Sequence, residues 1–170
     1  MLIKGDGSKR IGIDVRMAHC TGIGRYIRGT VSALHNVHWK YILFGPHRHR
    51  EDFPVQMSFI NTDIPIYGLR EQIGIPLLAK ECDCLHIPHY NAPLFWKKKL
   101  IITIHDLIHL HFPDHLTSPL ARLYSSTLLP LILRRADQII AVSKFTKDDL
   151  IKTLRIDARK ITVIHHGVDT

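Results

Sequence analysis

Short apolar runs alternate along the chain with segments whose apolar residues return every three or four positions. Ile11 to Val15 (IGIDV) is the first run. Behind it, Ile23, Tyr26, Ile27, Val31 and Leu34 fall at helical spacing within 22–37. Tyr41 to Gly45 (YILFG) and Met57 to Ile60 (MSFI) read as the second and third strands. Leu69 to Glu81 reads as a helix interrupted by Gly74 and Pro76. Cys84 to Pro88 (CLHIP) and Leu100 to Ile104 (LIITI) are the next two strands. A long helical pattern covers 117–137, with Ser118 as N-cap, Pro119 at the first helical position and Pro130 expected to kink or interrupt it. Gln138 to Ser143 (QIIAVS) is a strand, and a helix opens at Ser143 or Thr146. Lys160 to Ile164 (KITVI) is the last strand.

The strands are nearly continuous in apolar residues instead of alternating. That pattern belongs to parallel sheets with helices on both faces. The expected fold is therefore α/β: one doubly wound, mainly parallel sheet of about seven strands, spanning 1–170 as a single Rossmann-like domain. Sheets of this kind bind ligands beyond the carboxyl ends of their strands. Four strand ends carry glycine or polar residues to that rim: Gly22 and Gly24 after the first, His86 and His89 around the fourth, His105 and Asp106 after the fifth, and Ser143 after the sixth.

Two of these deserve chemical readings. In TGIGRY (Thr21 to Tyr26), Gly22, Ile23, Gly24 and Arg25 open a helix, where free amides and the helix dipole favour a phosphate. A tight turn that needs glycine only for geometry explains the same letters. In ITIHDL, His105 ends a buried strand, where it can donate a hydrogen bond to a substrate hydroxyl while Asp106 orients a neighbouring group. A histidine capped by local backbone is the plain alternative. His109, His111 and His115 read as a polar loop face. Cys82, Cys84, His86 and His89 offer metal-ligating atoms, but without a C-x-x-C pair, so no metal is expected.

Composition narrows the class. With 45% hydrophobic and 22% charged residues, the chain is that of a soluble globular protein. No apolar run is long enough to span a bilayer, and the first ten residues do not resemble a signal peptide. Three cysteines suit a reducing cytoplasm better than a disulfide framework. The net charge of +8 and pI near 9.6 favour anionic partners. WKKKL (Trp96 to Leu100) raises contact with an anionic membrane surface, against the default of a solvated turn. No nucleic-acid-binding signature is present, so no nucleic acid partner is expected.

Five segments in order, IGIDVRMAHCTGIGRYIRG, LHIPHYNAPL, TIHDLIHLHFPDH, ADQIIAVSKFTKDDLI and KITVIHHGVDT, resemble the N-terminal domain of family 4 glycosyltransferases, which are retaining enzymes of the GT-B fold. PHYNAPL and HDLIHLHFP look most like members that build surface polysaccharides, often mannosyl- or glucosyltransferases. The stretch 46–79 is the least diagnostic.

The resemblance implies two α/β domains with the active site between them, this half binding the acceptor. It implies that Gly22, Ile23, Gly24 and Arg25 approach the donor diphosphate and that the catalytic residue His105 faces the donor sugar. It implies an acceptor or cleft surface that includes Asp106, His89, Tyr90, Asn91 and Ser143. No cofactor and no metal are implied. The partners are a nucleotide-sugar held with a second domain or subunit, and a glycan or lipid-linked acceptor. The family's nucleotide-binding half is not among these residues, so the chain alone is expected to be inactive. His166 stands where the pattern leads one to expect asparagine or proline. The expected location is the cytoplasm, with peripheral attachment to the inner membrane face left open. The competing reading is a stand-alone module that binds glycan or anionic lipid without catalysis.

Overall fold

The computed structural model describes residues 9–34, 39–112, 122 and 124–167. Seven strands form one sheet: β1 (Arg10–Asp14), β2 (Lys40–Gly45), β3 (Ser58–Asn61), β4 (Cys84–Ile87), β5 (Lys99–Ile104), β6 (Gln138–Ala141) and β7 (Ile161–Val163). Their order is β3-β2-β1-β4-β5-β6-β7 and every pairing is parallel. The helices are α1 (Thr21–Leu34), α2 (Leu69–Leu78), the single turn α3 (Ile108–His111), α4 (Leu129–Arg135) and α5 (Lys144–Leu154). The doubly wound α/β reading and its strand count agree with this topology.

Period-two alternation within each strand divides the interior in two. Phe44, Leu85, Ile87, Leu100, Ile102, Ile104, Ile139 and Ala141 point to one face and pack against Ile75 of α2, Leu129, Ile132 and Leu133 of α4, and Leu150 and Leu154 of α5. Ile13, Tyr41 and Leu43 point to the other and meet Ile27 and Val31 of α1. Among the described residues, α1 is the helix on that second face.

Local departures from the sequence reading have plain causes. Gly74 does not break α2, because its missing side chain is a notch: a Cβ there would stand 2.4 Å from Ile64 Cδ1. Pro76 does not end α2 either; it lies inside the helix, which continues to Leu78. Pro130 sits in the first turn of α4, immediately after a π-helical turn, Tyr124–Leu128. A residue without an N–H breaks the ordinary hydrogen-bond ladder, and the wider turn accommodates it. The Ser118–Pro119 start lies outside the described residues. Of the two expected starts for α5, Ser143 is the N-cap: its hydroxyl accepts from Thr146 N at 3.0 Å.

The WKKKL segment is at the amino end of β5, on the edge opposite the strand ends that carry the histidines. Trp96 is buried and its indole donates to Lys99 O at 2.9 Å. Lys98 donates to Lys80 O and Cys82 O at 2.6 and 2.7 Å. Both side chains are thus tied into the fold, which leaves Lys97 and Lys99 exposed at that edge. Among the described residues, no helix is long and apolar enough to cross a membrane.

Candidate active site

β1 and β4 are neighbours, yet β1 leads on to β2 at one side while β4 leads on to β5 at the other. This reversal opens a crevice at their carboxyl ends. A cavity of about 1030 Å³ occupies it and runs along α1 over the second face of the sheet. Its floor is strand residues Ile11, Ile13, His86, Ile101 and Ile140. Its rim carries Gly22, Ile23, Arg25 and Tyr26 from α1, Tyr67, Tyr90, and His105, Asp106 and His109 after β5. The sequence-predicted glycine turn and His105 therefore open on one space.

His105 is held in a defined state. Its Nε2 lies 2.9 Å from Pro88 O, a carbonyl that only accepts, so Nε2 carries the proton and Nδ1 presents a lone pair. Burial pushes its pKa below the ordinary histidine value, against the opposing pull of the Pro88 carbonyl. A neutral ring in this tautomer offers a hydrogen-bond acceptor at Nδ1. The backbone is fixed as well: Thr146 Oγ1 donates to His105 O at 3.1 Å, and Thr146 N is itself capped by Ser143. Tyr26 lies edge-on to the His105 ring at 5.0 Å between centroids, and His166 sits 5.3 Å from it.

The two glycines of the turn differ. A Cβ on Gly24 would meet Ala18 O at 2.3 Å and Ala18 C at 2.8 Å, so close backbone packing demands glycine there. Gly24 N also donates to Cys20 O at 2.7 Å, which starts the helix ladder. A Cβ on Gly22 would meet nothing within 4 Å, and Gly22 is exposed at the cavity rim. The helix start leaves the first-turn amides without intrahelical partners, as every helix does.

Beneath the rim lies a buried ionic cluster. Arg16 donates to Asp14 through Nη2 at 2.6 Å and Nε at 3.0 Å, to Glu71 Oε2 at 2.9 Å and to Ile64 O at 2.9 Å. Asn91 Nδ2 donates to Glu71 Oε2 at 2.8 Å. His89 Nδ1 accepts from Asn91 N at 3.3 Å, and its Nε2 approaches Asp14 Oδ2 at 3.9 Å. One cation serves two carboxylates, so they titrate apart. Arg16 overcomes the burial penalty at Asp14 and holds its pKa down. At Glu71 burial wins and the pKa rises to about 7. Burial pushes His89 and His86 down to about 4, so both rings are neutral.

The structure thus distributes the sequence-predicted residues over three layers. Gly22, Ile23, Arg25, Tyr90, His105 and Asp106 line the cavity. His89 and Asn91 belong to the ionic cluster below it. Gly24 and Ser143 act through backbone packing and capping. His111 pairs with Asp149 at 2.8 Å, whereas His109, read from sequence as loop surface, lines the cavity. His115 lies outside the described residues. Cys82 is buried in the larger core, while His86 Nε2 bonds Thr103 Oγ1 at 3.0 Å. Among the described residues no group of three or more potential ligands is placed to hold a metal. Tyr67, Arg16 and Glu71 were missed. A charged residue directly after a strand, as in DVR, is the one signal that pointed to Arg16.

A model of Glycosyltransferase Family 4 matches residues 20–170. The chain belongs to this family. The O-antigen chain mannosyltransferase RfbU of Salmonella typhimurium is 32% identical over 103 residues, which are 61% of this chain and 27% of that protein. A glycosyltransferase from Rickettsia africae superposes with a TM-score of 0.60 at 20% identity, over 96% of this chain and 44% of its own. Anabaena Alr3699/HepE, solved with UDP and glucose, gives 0.62 at 18% identity, over 95% and 45%. At such identities the structures share the fold with this family 4 chain, which spans less than half the length of either.

Proposed function

We propose that this chain is the acceptor-binding half of a retaining glycosyltransferase that moves a hexose from a nucleotide-sugar to a glycan or lipid-linked acceptor. The observation that carries the reading is the shared cavity: the exposed Gly22 turn and the neutral His105 open on one crevice at the sheet's switch point. Mannose is favoured by the mannosyltransferase relative, and glucose by the sugar bound in the Anabaena protein. In this reading the reaction is cytoplasmic, and a lipid-linked acceptor would meet the chain at the inner membrane face.

In this reading the first-turn amides of α1 and the positive end of its dipole approach the donor diphosphate. The nucleotide is held chiefly by a second domain or subunit. His105 Nδ1 accepts a hydrogen bond from a donor-sugar hydroxyl and fixes the anomeric carbon toward the acceptor. The bond from that carbon to phosphate oxygen breaks, and the acceptor oxygen bonds to the same face. Its proton passes to the leaving phosphate. The protein contributes positioning and electrostatics.

The test is His105→Ala in a protein that carries the nucleotide-sugar-binding unit. Loss of a positioned polar group in such a site lowers kcat about 100-fold or more. The melting temperature should change little, because the ring is half-buried at the rim. Near-normal turnover by a folded variant overturns the assignment. A native protein that binds glycan or anionic vesicles but transfers nothing, with any donor, is a binding module instead.

A further inference from the structure

Tyr67 is an outlier in its backbone. Its φ is 61°, in the left-handed region that a bulky aromatic residue rarely adopts, and it is not a helix cap. The other non-glycine residue of this kind among those described, Arg155, has the ordinary role of ending α5. Two clamps hold the segment that carries Tyr67. Arg16 donates to Ile64 O on one side of it and to Glu71 on the other. The Arg16 hydrogen bonds on either side hold the backbone in this conformation, and the Tyr67 ring it carries lines the cavity.

That ring joins the cavity wall. Tyr67 and Tyr90 both line the cavity, with ring centroids 5.9 Å apart, and Tyr67 donates to the Tyr90 hydroxyl at 2.9 Å. Two phenols sharing one bond keep one O–H to offer. His109 continues the row at 5.4 Å from Tyr90. Tyr124 backs Tyr67 edge-on at 5.5 Å and is itself buried. Flat apolar ring surface beside a spare O–H is the chemistry that recognises a pyranose, whose C–H face is apolar and whose edge is hydroxylated. An acyl chain would leave the phenolic O–H without an acceptor.

We infer that Tyr67, with Tyr90, forms a subsite for the terminal pyranose of the acceptor, and that Tyr67 is a specificity-determining residue there. The inference rests on the acceptor-binding reading above and deepens it, because it assigns the acceptor's recognised end to a saccharide ring and not to its carrier. It also assigns a role within the stretch 46–79, the part of the chain least diagnostic of the family.

Saturation-transfer NMR on the 170-residue chain tests it, with methyl α-mannopyranoside and methyl α-glucopyranoside as probes up to about 50 mM, the range in which single-ring contacts saturate. The native chain should bind at least one probe, with transfer strongest at the C–H protons of one ring face. Tyr67→Gly suits the left-handed backbone and should weaken binding about tenfold or more with an unchanged or higher melting temperature. Tyr67→Asn, which tolerates the same backbone, repeats the comparison should the glycine loosen the loop. Tyr67→Phe keeps the ring, loses the hydroxyl bond, and should fall in between. Equal binding by native and the folded Gly or Asn variant overturns the subsite and leaves the acceptor-binding reading standing. No binding of either glycoside by the native chain overturns both.

Discussion

Glu71 and the histidines around it titrate in opposite directions, and their balance sets how the fold meets acid. His86 and His89 are buried neutral, with pKa values pushed down to about 4. An unfolded histidine takes its proton near the ordinary value of 6.5, so their stabilisation is full above that pH and is lost as pH falls toward 4. Glu71 is the reverse case. Its folded pKa of about 7 stands above the ordinary 4.5, so its share of stability is full below 4.5 and is lost as pH rises through 7. Asp14 is held down and contributes only above the ordinary carboxylate range. Between pH 7 and 5 each of the three opposing contributions is on the order of 2 kcal/mol. The native chain should therefore lose a modest amount of stability on going to pH 5. Glu71→Gln removes the one contribution that compensates, so its loss should be steeper by about 2 kcal/mol, read as urea midpoints at the two pH values. A variant with a shallower acid loss than native contradicts the assigned charge states. The pairing that sets these charge states was not legible in the sequence. Arg16 and Glu71 are 55 positions apart, and only the fold brings them to 2.9 Å. The same holds for Tyr67 against Tyr90.

At the scale of elements the sequence was more informative, because periodicity is a local property. Leu100, Ile102 and Ile104 alternate with Ile101 and Thr103, and both sets are apolar or β-branched because helices or a cavity cover each face. The same run showed where β5 ends, at Ile104, directly before His105. Breaker residues were read less well, since their effect depends on what lies opposite. Gly74, for example, receives Ile64 in the notch left by its missing side chain. The glycine turn of α1 was ambiguous between geometry and ligand approach; the structure shows that geometry demands glycine at Gly24 and not at Gly22. Gly24→Ala drives a Cβ into the Ala18 carbonyl and should cost about 1–3 kcal/mol, seen as a lower melting temperature. Gly22→Ala has open space, so stability should hold or improve slightly. In a protein with its nucleotide-sugar-binding unit, Gly22→Ala should nonetheless raise the donor KM about tenfold, by standing between the amides and the diphosphate. An unchanged donor KM would make the whole turn a matter of backbone geometry.

The whole molecule has one sheet with two unequal faces. Helices α2, α4 and α5 cover one; α1 and the cavity share the other. The larger core supports independent folding, with a cooperative thermal transition. The chain spans less than half the length of the two structures it superposes on. The central claim is a division of labour: this half receives the acceptor and positions the donor sugar at His105, while the nucleotide is bound elsewhere. Isothermal calorimetry of the 170-residue chain with UDP- and GDP-sugars tests it most directly. The account predicts no measurable heat of binding at millimolar ligand in a chain that melts cooperatively. Tight binding of a nucleotide-sugar by this chain alone would contradict it.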